Sequence, residues 1–272
     1  MKLQPDSFTV IPELAPLGSK RRPGAKIQKM VFLVAHDTGN PGASARAHAR
    51  WYQNDPNPPP GQVSSAHLFV DDREVIETVP SGLVAGSAAE IAYHVLYSVP
   101  TDNQMFGADA NSAAIGVELC YGGTIRPEDT YRRYVWTLAK LCVAHGLDPS
   151  WRIVGHEVLD PKRKRDPSQG LTAIGKSYDG LIADVVRTVK DFGAAFAATD
   201  APQPATMRAA RVHLNVRDAA SSAASRLFQL TPGEEVDVLA LQTGERVYGI
   251  AEWCQVKHAQ RGIGWCWAGG LA

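Results

Sequence analysis

The sequence predicts an α/β domain built on a central mixed β-sheet flanked by helices, followed by a second, small all-β barrel. Three observations carry this reading. Apolar strand-like runs alternate with helical periodicities as far as Phe192. The stretch AATDAPQPAT at residues 197–206 is rich in Ala, Pro and Thr and has no hydrophobic period. After it the texture changes to short alternating pieces punctuated by turn residues. Strands interleaved with helices give an α/β layer structure, and evenly spaced short strands suit a compact barrel. The domains read as 1–196, a linker over 197–206, and 207–272.

Taken in order, Met30-Val31-Phe32-Leu33-Val34-Ala35 is a continuous apolar run and predicts a buried strand. Ala43 to Tyr52 predicts a helix. Ala66 to Val70 and Glu74 to Val79 read as two strands joined across Asp71-Asp72-Arg73, and Ala114 to Leu119 as another. Residues 127–145 place Tyr131, Val135, Leu138 and Cys142 on one helical face, opening near Pro127 and stopping at Gly146. A further strand begins near Arg152, and Leu181, Val185, Val189 and Phe192 mark another helix. Beyond the break, HLNVRDAAS, RLFQLTPGEEVDVLAL, EWCQVKH and GIGWCWAGGLA supply the strands of the small module.

Composition excludes several classes. At 272 residues, 44% apolar and 21% charged, the chain has ordinary globular composition and enough length to bury a substantial core. Its 28 basic and 28 acidic residues cancel, and the balance holds on either side of residue 206, so nucleic acid or an acidic membrane surface is not expected as the main partner. The opening MKLQPDSFTVIPELAPLG has no continuous apolar segment of secretory type, which predicts synthesis in the cytoplasm and export by another route. Cys120, Cys142, Cys254 and Cys266 form no CxxC pair, so neither a disulfide framework nor a cysteine zinc site is indicated.

The stretch VGHEVLDPKRKRDPSQG, residues 154–170, is densely charged yet follows a strand-like run, so it is either a solvated turn or a built site. Histidines close two strands: His36 in VAHDTGN and His156 in VGHE, with Asp166 ten residues after His156. Two imidazoles and a carboxylate suffice to hold zinc and leave a position for water. Glu118 adds to this pattern. In AAIGVELCY the alternation puts Ile115, Val117 and Leu119 on one face and Gly116, Glu118 and Cys120 on the other. An acid in so apolar a strand suits a general base with a raised pKa.

At these residues the sequence resembles the type 2 N-acetylmuramoyl-L-alanine amidases, a family that includes phage endolysins and the peptidoglycan recognition proteins. The resemblance runs in order through RRPG, HDTGN, SSAHLFVDDREVIETVP, AYHV, AAIGVELCY and GHEVLDPKRKRDPSQG, across roughly residues 18 to 190. It implies the amidase fold, zinc on His36, His156 and Asp166, Glu118 as the base acting on the water, and Lys164 steadying the oxyanion. Where some phage members carry tyrosine before the histidine matching His67, this chain has Ala66, which points to Glu118 as the base. Where many relatives have glycine after Asp-Pro, this chain has Ser168.

His67 reads as either a packing or a substrate-facing residue, and His94 in AYHV as a residue of the cleft. His48, His145, His213 and His258 read as surface or packing residues, and Arg163 and Arg165 as solvated. The small module resembles a bacterial SH3-like domain, a class that commonly binds cell-wall peptide or glycan; otherwise Trp253, Trp265 and Trp267 only fill its core, and at least one is expected to be half exposed. The resemblance implies a zinc hydrolase of bacterial peptidoglycan, of phage or prophage endolysin type, that cuts between N-acetylmuramic acid and L-alanine and reaches the wall after release from the cytoplasm. The alternative is a recognition protein that binds peptidoglycan without turnover.

Overall fold

The computed structural model describes residues 2–193 and 208–271. The chain divides into two compact units, Met1–Ala195 and Phe196–Ala272. The linker read at 197–206 lies outside the described residues.

In the first unit six strands, β1 (Val10–Pro12), β2 (Phe32–Asp37), β3 (Leu68–Val70), β4 (Val75–Glu77), β5 (Ala114–Leu119) and β6 (Ile153–Gly155), form one sheet in the order β1-β4-β3-β5-β2-β6. The sheet is mixed. β2 runs parallel to both β5 and β6, and β3 parallel to β5, while β3 and β4 form an antiparallel hairpin. Every residue of β2 is buried, which its place between two parallel neighbours requires. Burying side chains such as Phe32, Leu33 and Val34 contributes roughly 1.5–3 kcal/mol each.

The helices are α1 (Ala45–Asn54), α2 (Thr101–Phe106), α3 (Ala110–Ala113), α4 (Pro127–His145), α5 (His156–Leu159), α6 (Ser168–Ala173) and α7 (Tyr178–Asp191). α1 starts where the Ser44 side chain accepts from Ala47 N, and its Ala45, Ala49 and Tyr52 pack on Phe69 and Ile76. α4 has Pro127 in its first turn with Glu128 and Asp129, and ends at Gly146 in the left-handed conformation. From it Tyr134 Oη donates to His36 O at 3.0 Å, with Val117 O at 3.2 Å, which ties the helix to β2 and β5.

Two boundaries depart from the sequence reading. β2 begins two residues later than the apolar run and extends through Asp37, so His36 is a strand residue rather than a strand end. β6 stops at Gly155, and His156 opens the one-turn helix α5. In both places the polar residue is held by its neighbours in the sheet or turn, not by its own apolarity.

The second unit contains β7 (Arg208–Ala209), β8 (Leu214–Arg217), β9 (Arg226–Leu230), β10 (Glu235–Val247), β11 (Ile250–His258) and β12 (Gly262–Trp267), in the order β7-β10-β11-β12-β8-β9. All of these pairings are antiparallel. Tyr248 and Gly249, both with positive φ, turn β10 into β11, the backbone that matches the twist of a tight hairpin. Trp253 and Trp267 are cross-strand partners and buried, whereas Trp265 is partly exposed. The Trp253 indole donates to Glu245 O at 2.7 Å, so this tryptophan fills the core. Cys254 and Cys266 stand directly across from each other as free, buried thiols. Among the described residues of the whole chain no helix is long and apolar enough to cross a membrane.

Candidate metal centre and cleft

His36, on β2, and Glu118, on β5, are in-register neighbours, and Phe69 of β3 is the next residue across, so these side chains share one face of the sheet. Gly116 lies two residues back along that face. A Cβ there would come within 2.8 Å of His94 Cγ, so the bare glycine leaves the space that the imidazole occupies.

His36, His156 and Asp166 converge. His36 Nδ1 is 2.9 Å and His156 Nδ1 3.1 Å from the same oxygen, Asp166 Oδ2. One ligand atom from each residue lies within 4.8 Å of the others. Burial lowers the pKa of His36 to about 4, against the opposing pull of the Asp166 hydrogen bond, so its ring is neutral at pH 7 and able to ligate. Burial alone would raise the pKa of Asp166, but the hydrogen bonds from His156 and His36 outweigh it and keep the carboxylate ionised. A neutral imidazole, a second imidazole and an ionised carboxylate, converging from three segments, form a donor set that fits zinc.

The loop that carries Asp166 is pinned at its base. Glu157 N donates to Asp166 O at 2.8 Å, and the Ser168 hydroxyl donates to the Glu157 carboxylate. Gly170 N donates to Asp37 Oδ2 at 2.7 Å, while Asp37 Oδ1 accepts from Gly39 N at 2.9 Å. Sequence reasoning missed Asp37, Glu157 and Ser168 as supports. Only the placement of Asp37 just before a Thr-Gly-Asn turn could have suggested the first.

Glu118 is held well above the ordinary glutamate range, first by burial and then by the nearby Asp166 and Asp37 carboxylates, with Lys164 opposing. Its Oε2 is buried without a hydrogen-bond partner. Lys164 is half-buried and lines a cleft of about 750 Å³ together with His94 and His156. Its charge also acts to lower the pKa of His36, after burial and the His156 charge.

The substrate-facing alternative for His67 is corrected. The ring is fully buried, Nε2 donates to Glu90 O at 2.8 Å, and Nδ1 accepts from Gly116 N at 3.0 Å. With both nitrogens engaged by backbone, His67 joins β5 to the 90–94 segment and has nothing free for a substrate. His94 does line the cleft, with Nδ1 3.1 Å from His36 Nε2 and Nε2 buried without a partner. Arg163, read as solvated, is half exposed, paired with Asp160 and part of the cleft wall. Arg165 donates to Pro161 O and Lys164 O at the surface. His48 stacks on Phe69, and His145 bonds Ser81 O, both as packing residues.

Comparison with known proteins agrees with this geometry. The pattern of the N-acetylmuramoyl-L-alanine amidase family matches residues 26–169, and that of the bacterial SH3 domain matches residues 212–272. N-acetylmuramoyl-L-alanine amidase BlyA of Bacillus subtilis (strain 168) is 37% identical over 168 residues, covering 60% of this chain and 43% of that protein. N-acetylmuramoyl-L-alanine amidase CwlL of Bacillus licheniformis is 29% identical over 181 residues, covering 64% and 48%. The chain thus spans less than half the length of these curated relatives. The catalytic domain of XlyA superposes with a TM-score of 0.50 at 24% identity, over 65% of this chain and 99% of that one. Staphylococcus aureus hydrolase AmiA, solved with its ligand, also gives 0.50, at 18% identity over 66% and 83%. These structures share the fold. With a family pattern spanning His36, Glu118, Lys164 and Asp166, and more than half of its length, the chain belongs to the N-acetylmuramoyl-L-alanine amidase family.

Proposed function

We propose that the chain is a zinc-dependent peptidoglycan hydrolase that cuts the amide between the lactyl group of N-acetylmuramic acid and the L-alanine of the stem peptide. The observation that carries this reading is the convergence of His36, His156 and Asp166 beside the in-register Glu118, with His156 and the neighbouring His94 and Lys164 lining a cleft. An amide is a poor electrophile, so its hydrolysis needs a strong nucleophile at neutral pH and a stabilised oxyanion. Zinc bound by the three side chains would acidify a water to a pKa of about 7 and polarise the scissile carbonyl.

The chain's own groups do the rest. Glu118, kept from ionising cheaply by burial, takes the proton of the attacking water and returns it to the departing nitrogen. Lys164, at the cleft wall next to His156, holds the developing oxyanion. His94 abuts His36 and orients it. The SH3-like unit holds the enzyme on the wall, on which it acts after release from the cytoplasm.

Mass spectrometry of purified peptidoglycan digested with and without a chelator tests this reading. Free stem peptides beginning at L-alanine are expected, and are expected to vanish with the chelator. Products with a new reducing sugar, or none from metal-replete protein, would overturn it.

A further inference from the structure

The charged side chains that line the cleft are all cationic. Lys20, Arg163 and Lys164 contribute to its walls, no aspartate or glutamate does, and this in a chain whose 28 basic and 28 acidic residues cancel. Lys164 is assigned to the oxyanion. Lys20 has no such task. It is exposed, makes no ion pair among the described residues, and its ammonium is held by one hydrogen bond, to Pro58 O at 3.0 Å. Its backbone is fixed as well, since Lys20 N donates to Asn57 Oδ1 at 2.9 Å. The neighbouring Arg21 is fully buried, bonded to Asp55 O and Ser64 O and stacked over Trp51 and Tyr52, so the strip that presents Lys20 is anchored to the 61–64 segment of the cleft wall. Two of the three donors of the Lys20 ammonium therefore remain available to a ligand at a fixed place.

We infer that Lys20, supported by Arg163, makes this cleft selective for a stem peptide whose second residue carries a free carboxylate over one in which it is a neutral amide. The inference rests on the amidase reading and deepens it. The residue at the scissile bond, L-alanine, has a neutral side chain, so the first anionic group along the peptide is the free carboxylate of the second, γ-linked acidic residue. A cleft with one sign of charge concentrates a ligand of the opposite sign, most strongly at low ionic strength. The guanidinium of Arg163 is shared with Asp160, which leaves Lys20 as the less compensated charge.

The test uses the full-length, zinc-loaded protein and two synthetic disaccharide-tetrapeptides that differ only in a free or amidated carboxyl at the second residue. The acid is expected to show roughly 3- to 10-fold higher kcat/KM, carried by KM, as suits one or two partly solvated charge contacts. Lys20→Met should bring the ratio towards one, and Lys20→Glu should reverse it. Because Lys20 is exposed, both variants should keep the melting temperature and zinc content of the parent. Raising the ionic strength from about 0.05 M to about 0.5 M should shrink the preference, since the screening length falls several-fold. Equal kcat/KM for the two substrates, or a preference that Lys20→Glu leaves intact, overturns the inference while leaving the amidase reading standing. Cleavage of neither substrate overturns both.

Discussion

His36 and Glu118 face each other in register across the parallel strands β2 and β5. A metal-ligand candidate and a partly buried acid are thereby held side by side by backbone hydrogen bonding rather than by loops, so the base cannot drift from the cluster without breaking the sheet. Replacing Glu118 by Gln keeps the shape and removes the proton acceptor. Turnover should fall about 10²- to 10⁴-fold with zinc content and circular dichroism unchanged; retention of near-parental turnover would assign the base to another group.

The same substitution has a stability signature. The pKa of Glu118 is raised in the folded chain, so the folded state favours the protonated acid. Stability from this group is full below the ordinary glutamate pKa and is lost as pH rises from there through the raised folded value. Gln does not titrate. With a chelator present, thermal melts should show Glu118→Gln gaining on the parent as pH rises above the ordinary glutamate range. A difference that is constant with pH would contradict the assignment of a raised pKa.

Asp166→Ala removes the oxygen on which both histidine Nδ1 atoms converge. Zinc affinity should fall by more than the roughly 10- to 100-fold that loss of an outer support costs, and activity with it. Metal analysis after gel filtration checks this, and full zinc content in the variant would remove Asp166 from the ligand set.

Ser168→Ala leaves every proposed ligand in place and cuts the hydroxyl contact to Glu157 at the base of the loop. About a tenfold loss of zinc affinity is expected, at the lower end of outer-support effects, measured by competition with a chromogenic chelator. An affinity equal to that of the parent would show that the Glu157 N to Asp166 O bond alone fixes the loop.

Removing the SH3-like unit should spare hydrolysis of soluble muropeptides and impair lysis of intact walls. Every residue assigned to chemistry lies within 36–166, and a wall-binding unit raises the local substrate concentration without touching the active site. Pull-down of residues 207–272 with insoluble peptidoglycan, beside lysis assays of both forms, checks this; no wall binding together with equal lysis would refute it.

Much of the first unit was legible where side chains set their own boundaries. β5 and α4 fall at the expected residues, because Ala114 to Leu119 is apolar at every position but Glu118, and Pro127 and Gly146 mark the two ends of α4. The end of β2 was read short because His36 and Asp37 are polar and their strand conformation comes from pairing with β5. The short β1, α2, α3 and α6 carry too few residues to show a period. His36 and His156 drew notice because each follows an apolar strand-like run. The role of His67 could not, since its partners, Glu90 O and Gly116 N, are backbone groups 23 and 49 residues away.

The bonds at the base of the 156–166 loop fix its two ends without the basic side chains at its outer edge. Among the described residues, the side chains of Arg163 and Arg165 hydrogen-bond only within the loop, at Asp160, Pro161 and Lys164. The segment thus behaves as a cassette with fixed ends: its outer basic positions can be exchanged to retune the charge of the rim, as a handle for redirecting the enzyme to differently charged walls, while the positions of His156 and Asp166 are set elsewhere.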